Sequence, residues 1–190
     1  MRRLTIALAI VLTIGLPTPG AAGPAPAPVR KLAVVPFYAP EHMWRLYTPF
    51  VEFLRRETGE AWELSLHPSH EALREDFCAG RVDVALLGPV PLGRIHRQCA
   101  GAPLLVALGP AGVSTYHAVI VTADPAIATL DALRGKEVGF FRGSTAAHAV
   151  PVRLLANAGL APGSYRSVWL EGQDRLMGAV LARKVSAAGL

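Results

Sequence analysis

This 190-residue sequence predicts an α/β fold of two lobes, and three observations carry the prediction. Short β-branched runs alternate with amphipathic stretches in the strand, helix, strand order that builds a parallel sheet. The alternation occurs twice, before and after about residue 120, with no sequence repeat between the halves. Hydrophobic residues make up 52% of the chain and charged residues 17%, which excludes a disordered polar chain and requires a packed core.

The first residues stand apart from that pattern. Arg2 and Arg3 precede an apolar stretch from Leu4 to Leu16, followed by Pro17, Pro19 and the small residues Gly20, Ala21 and Ala22. A charged start, an apolar middle and a small-residue end is the order of a secretory signal. The apolar stretch is shorter than the roughly 20 residues that span a bilayer. Residues 1–22 therefore read as a signal peptide cleaved after Ala22, and residues 23–29 as a stiff Pro/Ala-rich linker. No cysteine follows the apolar stretch to carry a lipid, so the expected destination is a bacterial periplasm. Cleavage removes Arg2 and Arg3 from the 19 bases that face 14 acids, so a formal +5 becomes a mild excess. The remaining bases are scattered beside acids, with no basic run interleaved with aromatics, and nucleic acid is not an expected partner.

From Lys31 the elements follow in order. Lys31–Pro36 reads as a buried strand. Met43–Thr58 reads as a helix whose Leu46, Phe50, Phe53 and Leu54 recur at spacings of three and four and form the expected core face; Gly59 ends it. Trp62–Leu66 alternates as a second strand. Ser69 can accept the free N–H groups of a helix over His70–Ala79, and Val82–Leu87 is a third strand. Gly88-Pro89 turns into a short helix around Val90–Gln98, and Pro103–Leu108 and Tyr116–Thr122 read as strands. The second half continues with a brief helix at Leu130–Leu133, a strand at Glu137–Phe141 and a helix over Ala146–Ala158. A strand at Tyr165–Leu170, a helix at Asp174–Ala182 and a strand at Val185–Leu190 complete it.

Several residues carry candidate chemistry. His67 and His70 are three apart, but Pro68 between them spoils a shared helix face and no third ligand clusters with them, so no metal is expected. Cys78 and Cys99 lie near the ends of two neighbouring helices in an exported chain, where a disulfide is permitted. Gly143-Ser144-Thr145 follows a strand and opens a helix, so the N–H groups of Thr145, Ala146 and Ala147 point outward with the positive end of the helix dipole. Two hydroxyls stand beside them, and the arrangement suits a phosphate-like oxyanion. Ser144 as a plain helix cap is the alternative. No G-x-x-x-x-G-K-[ST] or G-x-G-x-x-G accompanies this loop, and Ser144 lacks the G-x-S-x-G setting of a hydrolase. A nucleotide site and catalysis are both unsupported.

Taken together, KLAVVP at 31–36, Phe53 to Gly59, Ala79 to Pro89, Thr115 to Val121, LDALRGK at 130–136, Gly143-Ser144-Thr145 and Val150-Pro151 resemble a known family. The sequence is similar to the phosphonate-binding branch of periplasmic substrate-binding proteins, which serve ABC importers of phosphate, phosphite and phosphonates. The likeness extends over nearly all of residues 30–190. It implies a non-enzymatic, cofactor-free, monomeric clamp of the type II kind, its first lobe at 30–120 and its second at 121–190, closing on an oxyanion and delivering it to a permease in the inner membrane. Relatives continue past the position of Leu190, so the second lobe and the return crossover are expected to be incomplete. Carried over by position, the family's Ser-Thr-Ser grip becomes Ser144-Thr145-Ala146, with the third hydroxyl replaced by a backbone N–H. Tyr116 is retained from the hinge region, His70 replaces a second tyrosine, and Gln173-Asp174 stands where a histidine and an acid are common. Phe37 and Tyr38 are expected to wall the cleft. The other reading of the same features is a periplasmic sensing domain that signals to a membrane partner.

Overall fold

The computed structural model describes residues 28–109 and 111–190. The signal peptide and most of the linker lie outside the described residues. No described helix is long and apolar enough to cross a membrane.

Two sheets organise the chain. The first has the order β2-β1-β3, from β1 (Arg30–Val34), β2 (Trp62–Leu66) and β3 (Val84–Leu86), all parallel. Its crossovers are α1 (Pro40–Thr58) and α2 (His70–Cys78), and α3 (Pro89–Cys99) follows β3. The second sheet has the order β4-β7-β5-β6, from β4 (Ile120–Val121), β5 (Glu137–Phe140), β6 (Arg166–Trp169) and β7 (Ala187–Gly189). Only the β4–β7 pair is antiparallel. A 3-10 turn (Leu130–Leu133), α4 (Val150–Asn157) and α5 (Gln173–Leu181) provide its connections.

Both sheets are covered on both faces, as parallel sheets require. Along β1, Leu32 and Val34 pack on one side with Met43, Val51, Trp62 and Leu64, while Ala33 and Val35 pack on the other with Leu73, Val82 and Ile95. In the second sheet, Val138 and Phe140 join Leu155, Leu160 and Tyr165 on one face. Phe141, Leu176, Val180 and Ala188 share a cluster on the other. Removing any of the fully buried leucines, such as Leu73 or Leu176, leaves a cavity that costs about 2–5 kcal/mol.

The elements differ from the sequence pattern in three places. On α1 the face read as core is largely outside: Leu46, Phe50 and Phe53 are 43–49% exposed, whereas Met43 and Val51 are buried and Tyr47 and Leu54 pack beside them. Two adjacent apolar stripes run along this helix, and periodicity alone cannot choose between them. The apolar run Pro103–Leu108 is not a strand, and Leu104 and Leu105 are at least 80% exposed. An apolar run becomes a strand only when its backbone pairs, and this one bonds to neither sheet even though β3, paired only with β1 among the described residues, keeps one edge free. The strand expected over Tyr116–Thr122 shrinks to Ile120–Val121, with Val119 and Leu190 exchanging backbone hydrogen bonds just beyond it.

Cys78 and Cys99 are joined by a disulfide, with Cα atoms 5.4 Å apart. It ties the C-terminal ends of α2 and α3, the two helices that cover one face of the first sheet. His67 does not point toward a metal site; its Nε2 pairs with Asp76 at 3.0 Å.

Candidate functional site

Parallel strands direct the helix N-termini that follow them to one end of the sheet, where backbone N–H groups lack partners. Here such N-termini from the two lobes meet. Gly88 caps α3 without a side-chain hydrogen bond, and Pro89 has no N–H to satisfy. The next donor, Val90 N–H, is given to Thr145 Oγ1 of the other lobe at 2.9 Å. The approach is close: a Cβ on Gly88 would lie 3.1 Å from Thr145 Oγ1 and 3.4 Å from the Tyr116 hydroxyl oxygen. Gly88, Tyr116 and Thr145 therefore converge on one point.

A second contact lies beside the first. Gly143 has φ +85°, and a Cβ built on it would sit 3.0 Å from the Cβ of His70, the first residue of α2. The His70 ring packs against the edge of Phe141 with centroids 4.6 Å apart. His70 is buried, and its Nδ1 has no hydrogen-bond partner. Burial, aided by the positive field of Arg94, lowers its pKa to about 4, so it is neutral at ordinary pH.

Between these contacts the chain after β5 forms one helix in two parts, a π turn at Thr145–Ala149 running directly into α4. Ser144 is buried at its start, and its Oγ accepts from Ala147 N–H at 3.1 Å. The plain capping role is thus real, and it takes the Ala147 N–H that the sequence reading had left free. The N–H groups of Thr145 and Ala146 have no acceptor among the described residues. The Ser144 and Thr145 oxygens each accept one bond, which leaves both hydroxyl protons to donate elsewhere.

Sequence reasoning missed the residues that hold this loop. His148 Nδ1 accepts from Gly143 N–H at 3.3 Å, which requires an unprotonated Nδ1. Burial, with Arg142 and Arg94 nearby, lowers the His148 pKa and keeps the ring neutral. His148 meets Trp169 edge-on at 4.9 Å, and the Arg142 guanidinium lies 3.9 Å over the same indole. No local signal marked His148: five residues, more than one helical turn, separate it from Gly143.

Tyr38 and Gln173 belong to a different contact between the lobes. Tyr38 stacks on His42 at 4.6 Å. The residues flanking it bridge to α5: Phe37 C=O accepts from Gln173 N–H at 2.7 Å, and Ala39 N–H donates to Asp174 Oδ2 at 3.1 Å. Asp174 Oδ1 also accepts from Arg175 N–H at 2.9 Å. A carboxylate of the protein itself thus occupies the point where the N-termini of α1 and α5 meet. No hydrogen bond links Tyr38 or Gln173 to Ser144 or Thr145 among the described residues.

A family model described as the phosphonate periplasmic substrate-binding protein of ABC transporters matches residues 32–190. The chain belongs to this family. Solved structures agree on the two-lobed fold. A binding-protein component of an ABC phosphonate transporter from Pseudomonas aeruginosa superposes with TM-score 0.79 at 17% identity, over 86% of this chain and 57% of that one. PhnD1 from Prochlorococcus marinus, solved with methylphosphonate, gives TM-score 0.70 at 14% identity, over 85% and 63%. The alkanesulfonate-binding protein SsuA from Xanthomonas axonopodis pv. citri, bound to MOPS, gives 0.55 at 23% identity, over 86% and 54%. The chain therefore spans between half and two thirds of the length of these structural relatives. No curated protein matches at the sequence level. Membership in a periplasmic family carries the implication of export.

Proposed function

We propose that this protein is the non-catalytic solute-binding component of an ABC importer and holds a phosphate- or phosphonate-like oxyanion between its lobes. One observation carries the reading. Around Thr145, helix N-termini from both lobes converge with the spare hydroxyl protons of Ser144 and Thr145 and the N–H groups of Thr145 and Ala146, and the ionised groups that act on the two nearby histidines are the arginines Arg94 and Arg142. Such a concentration of donors and positive field suits a tetrahedral oxyanion. Tyr116 adds a hydroxyl beside Thr145. Tyr38 and Gln173 wall the far side of the cleft rather than grip the anion.

The ligand stabilises the closed arrangement by binding it more tightly than the open one. The protein acts as a monomer in the periplasm and docks on an inner-membrane permease. Isothermal titration of phosphate, phosphite and methylphosphonate into the mature chain tests the ligand. Ser144→Ala and Thr145→Ala should each weaken binding about ten- to a hundredfold, since a hydrogen bond to a charged group is worth roughly 1.5–3 kcal/mol. Unchanged affinity in both variants would return these residues to capping and interlobe contact alone.

A further inference from the structure

A shallow, solvent-open groove of about 420 Å³ runs between α2 and α3, lined by Glu71, Arg74, Arg94, Arg97 and Gln98. It lies apart from the donors around Thr145 but shares two helices with them. Glu71 follows His70 at the start of α2, and Arg94 lies one turn after Val90 on the α3 face that meets Thr145. Side chains on a helix lean toward its N-terminus, so Arg94 leans toward the Val90–Thr145 contact.

The charges in this groove are unevenly paired. Arg74 is held by Glu71 through two hydrogen bonds, with Glu75 at 4.0 Å. Arg94 and Arg97 have no carboxylate partner among the described residues. Arg94 nevertheless acts on groups in both lobes, since its positive field reaches His70 in the first and His148 in the second. An exposed arginine pair on a helix whose first turn reaches the donors of a cleft, with its nearest acid already engaged, raises the local concentration of anions and the rate at which they arrive.

We propose that the arginine groove between α2 and α3 is a collecting surface for small oxyanions, on which Arg94 and Arg97 draw the ligand from solvent and Arg94 hands it to the donors around Thr145. The proposal rests on the oxyanion reading above and adds a kinetic role that the cleft residues do not need. A charge on the approach path changes the association rate and its salt dependence, whereas a charge in direct contact with bound ligand changes dissociation. The effect grows with ligand charge, so methylphosphonate as a dianion gains more than methanesulfonate, its singly charged isostere.

The experiment is stopped-flow binding of these two anions at pH 8.5, followed by tryptophan fluorescence, for which Trp169 stands beside the site. Arg94→Gln/Arg97→Gln is compared with wild type and with Arg183→Gln/Lys184→Gln, which removes the same charge just beyond the far end of α5. At low ionic strength, near 10 mM, the groove variant should associate with methylphosphonate about five- to tenfold more slowly than wild type and with methanesulfonate two- to threefold more slowly. Its dissociation rate should be unchanged. Near 1 M salt, where screening acts over about 3 Å, the difference should fall below twofold. The Arg183/Lys184 control should stay within twofold of wild type throughout.

Equal association rates for groove variant and wild type at low salt would overturn the collecting role while leaving the oxyanion site standing. Faster dissociation that persists in 1 M salt would also overturn it, because Arg94 would then be a direct ligand contact. Absence of calorimetric binding of either anion to wild type would remove the oxyanion reading and this proposal together.

Discussion

The two lobes touch through pairs of helix N-termini at two places, and the places are finished differently. At Asp174 the donors are consumed by the protein itself: the carboxylate accepts from Ala39 and Arg175, and Phe37 C=O takes the N–H of Gln173. At Thr145 the geometry is similar, but no carboxylate fills it. Two hydroxyl protons and two N–H groups are left over. Helix N-termini that approach one another repel unless something negative lies between them. The Asp174 contact is therefore a latch complete in itself, and the Thr145 contact is complete only with an anion from outside.

Three changes sharpen this contrast, taken from the largest expected effect to the smallest. His70 has its pKa lowered from 6.5 to about 4 by burial first and Arg94 second. A group depressed in the folded state stabilises the fold fully above its unfolded pKa, and that stability is lost as pH falls from about 6.5 toward 4. The loss should reach about 3 kcal/mol, read as the difference in melting temperature between wild type and His70→Asn across that range. Parallel curves for the two proteins would mean that His70 charges freely and is not sealed beneath Gly143.

Gly143→Ala is next. The residue needs a left-handed backbone, and its new Cβ would press on His70 at 3.0 Å. The strain should destabilise the closed arrangement by about 1–3 kcal/mol and weaken oxyanion binding by a similar free energy. An affinity equal to wild type would show that the His70 contact is not part of the ligand-bound state. Asp174→Asn is the smallest. Losing the charge at an exposed helix start should lower stability by about 1 kcal/mol, measurable by urea unfolding, while oxyanion affinity changes less than fivefold.

The fold was largely legible because strand runs such as Lys31–Pro36 and Glu137–Phe141 are buried on both faces and read as continuous apolar segments. Pro103–Leu108 misled for the same reason, since it is an equally continuous apolar run, yet it stays exposed and unpaired although the β3 edge is free. On α1 the choice between the Leu46 and Met43 stripes depends on where β1 and β2 lie, which no local pattern records. Ser144 and Thr145 were readable because a strand, a glycine and a helix start are local features. Val90, Gly88 and Arg94 were not, because Val90 lies 55 residues from Thr145 and only the packing of one lobe on the other joins them. His148 was hidden by its ordinary position inside a helix.

The contrast between the two contacts comes down to one comparison by titration calorimetry. Methylphosphonate is added to wild type, to the Ser144→Ala/Thr145→Ala double variant and to Asp174→Asn under the same conditions. One ligand per chain should bind to wild type and to Asp174→Asn, and binding to the double variant should be at least a hundredfold weaker. Equal binding to the double variant, or binding lost only in Asp174→Asn, would place the anion away from Thr145 and contradict the account.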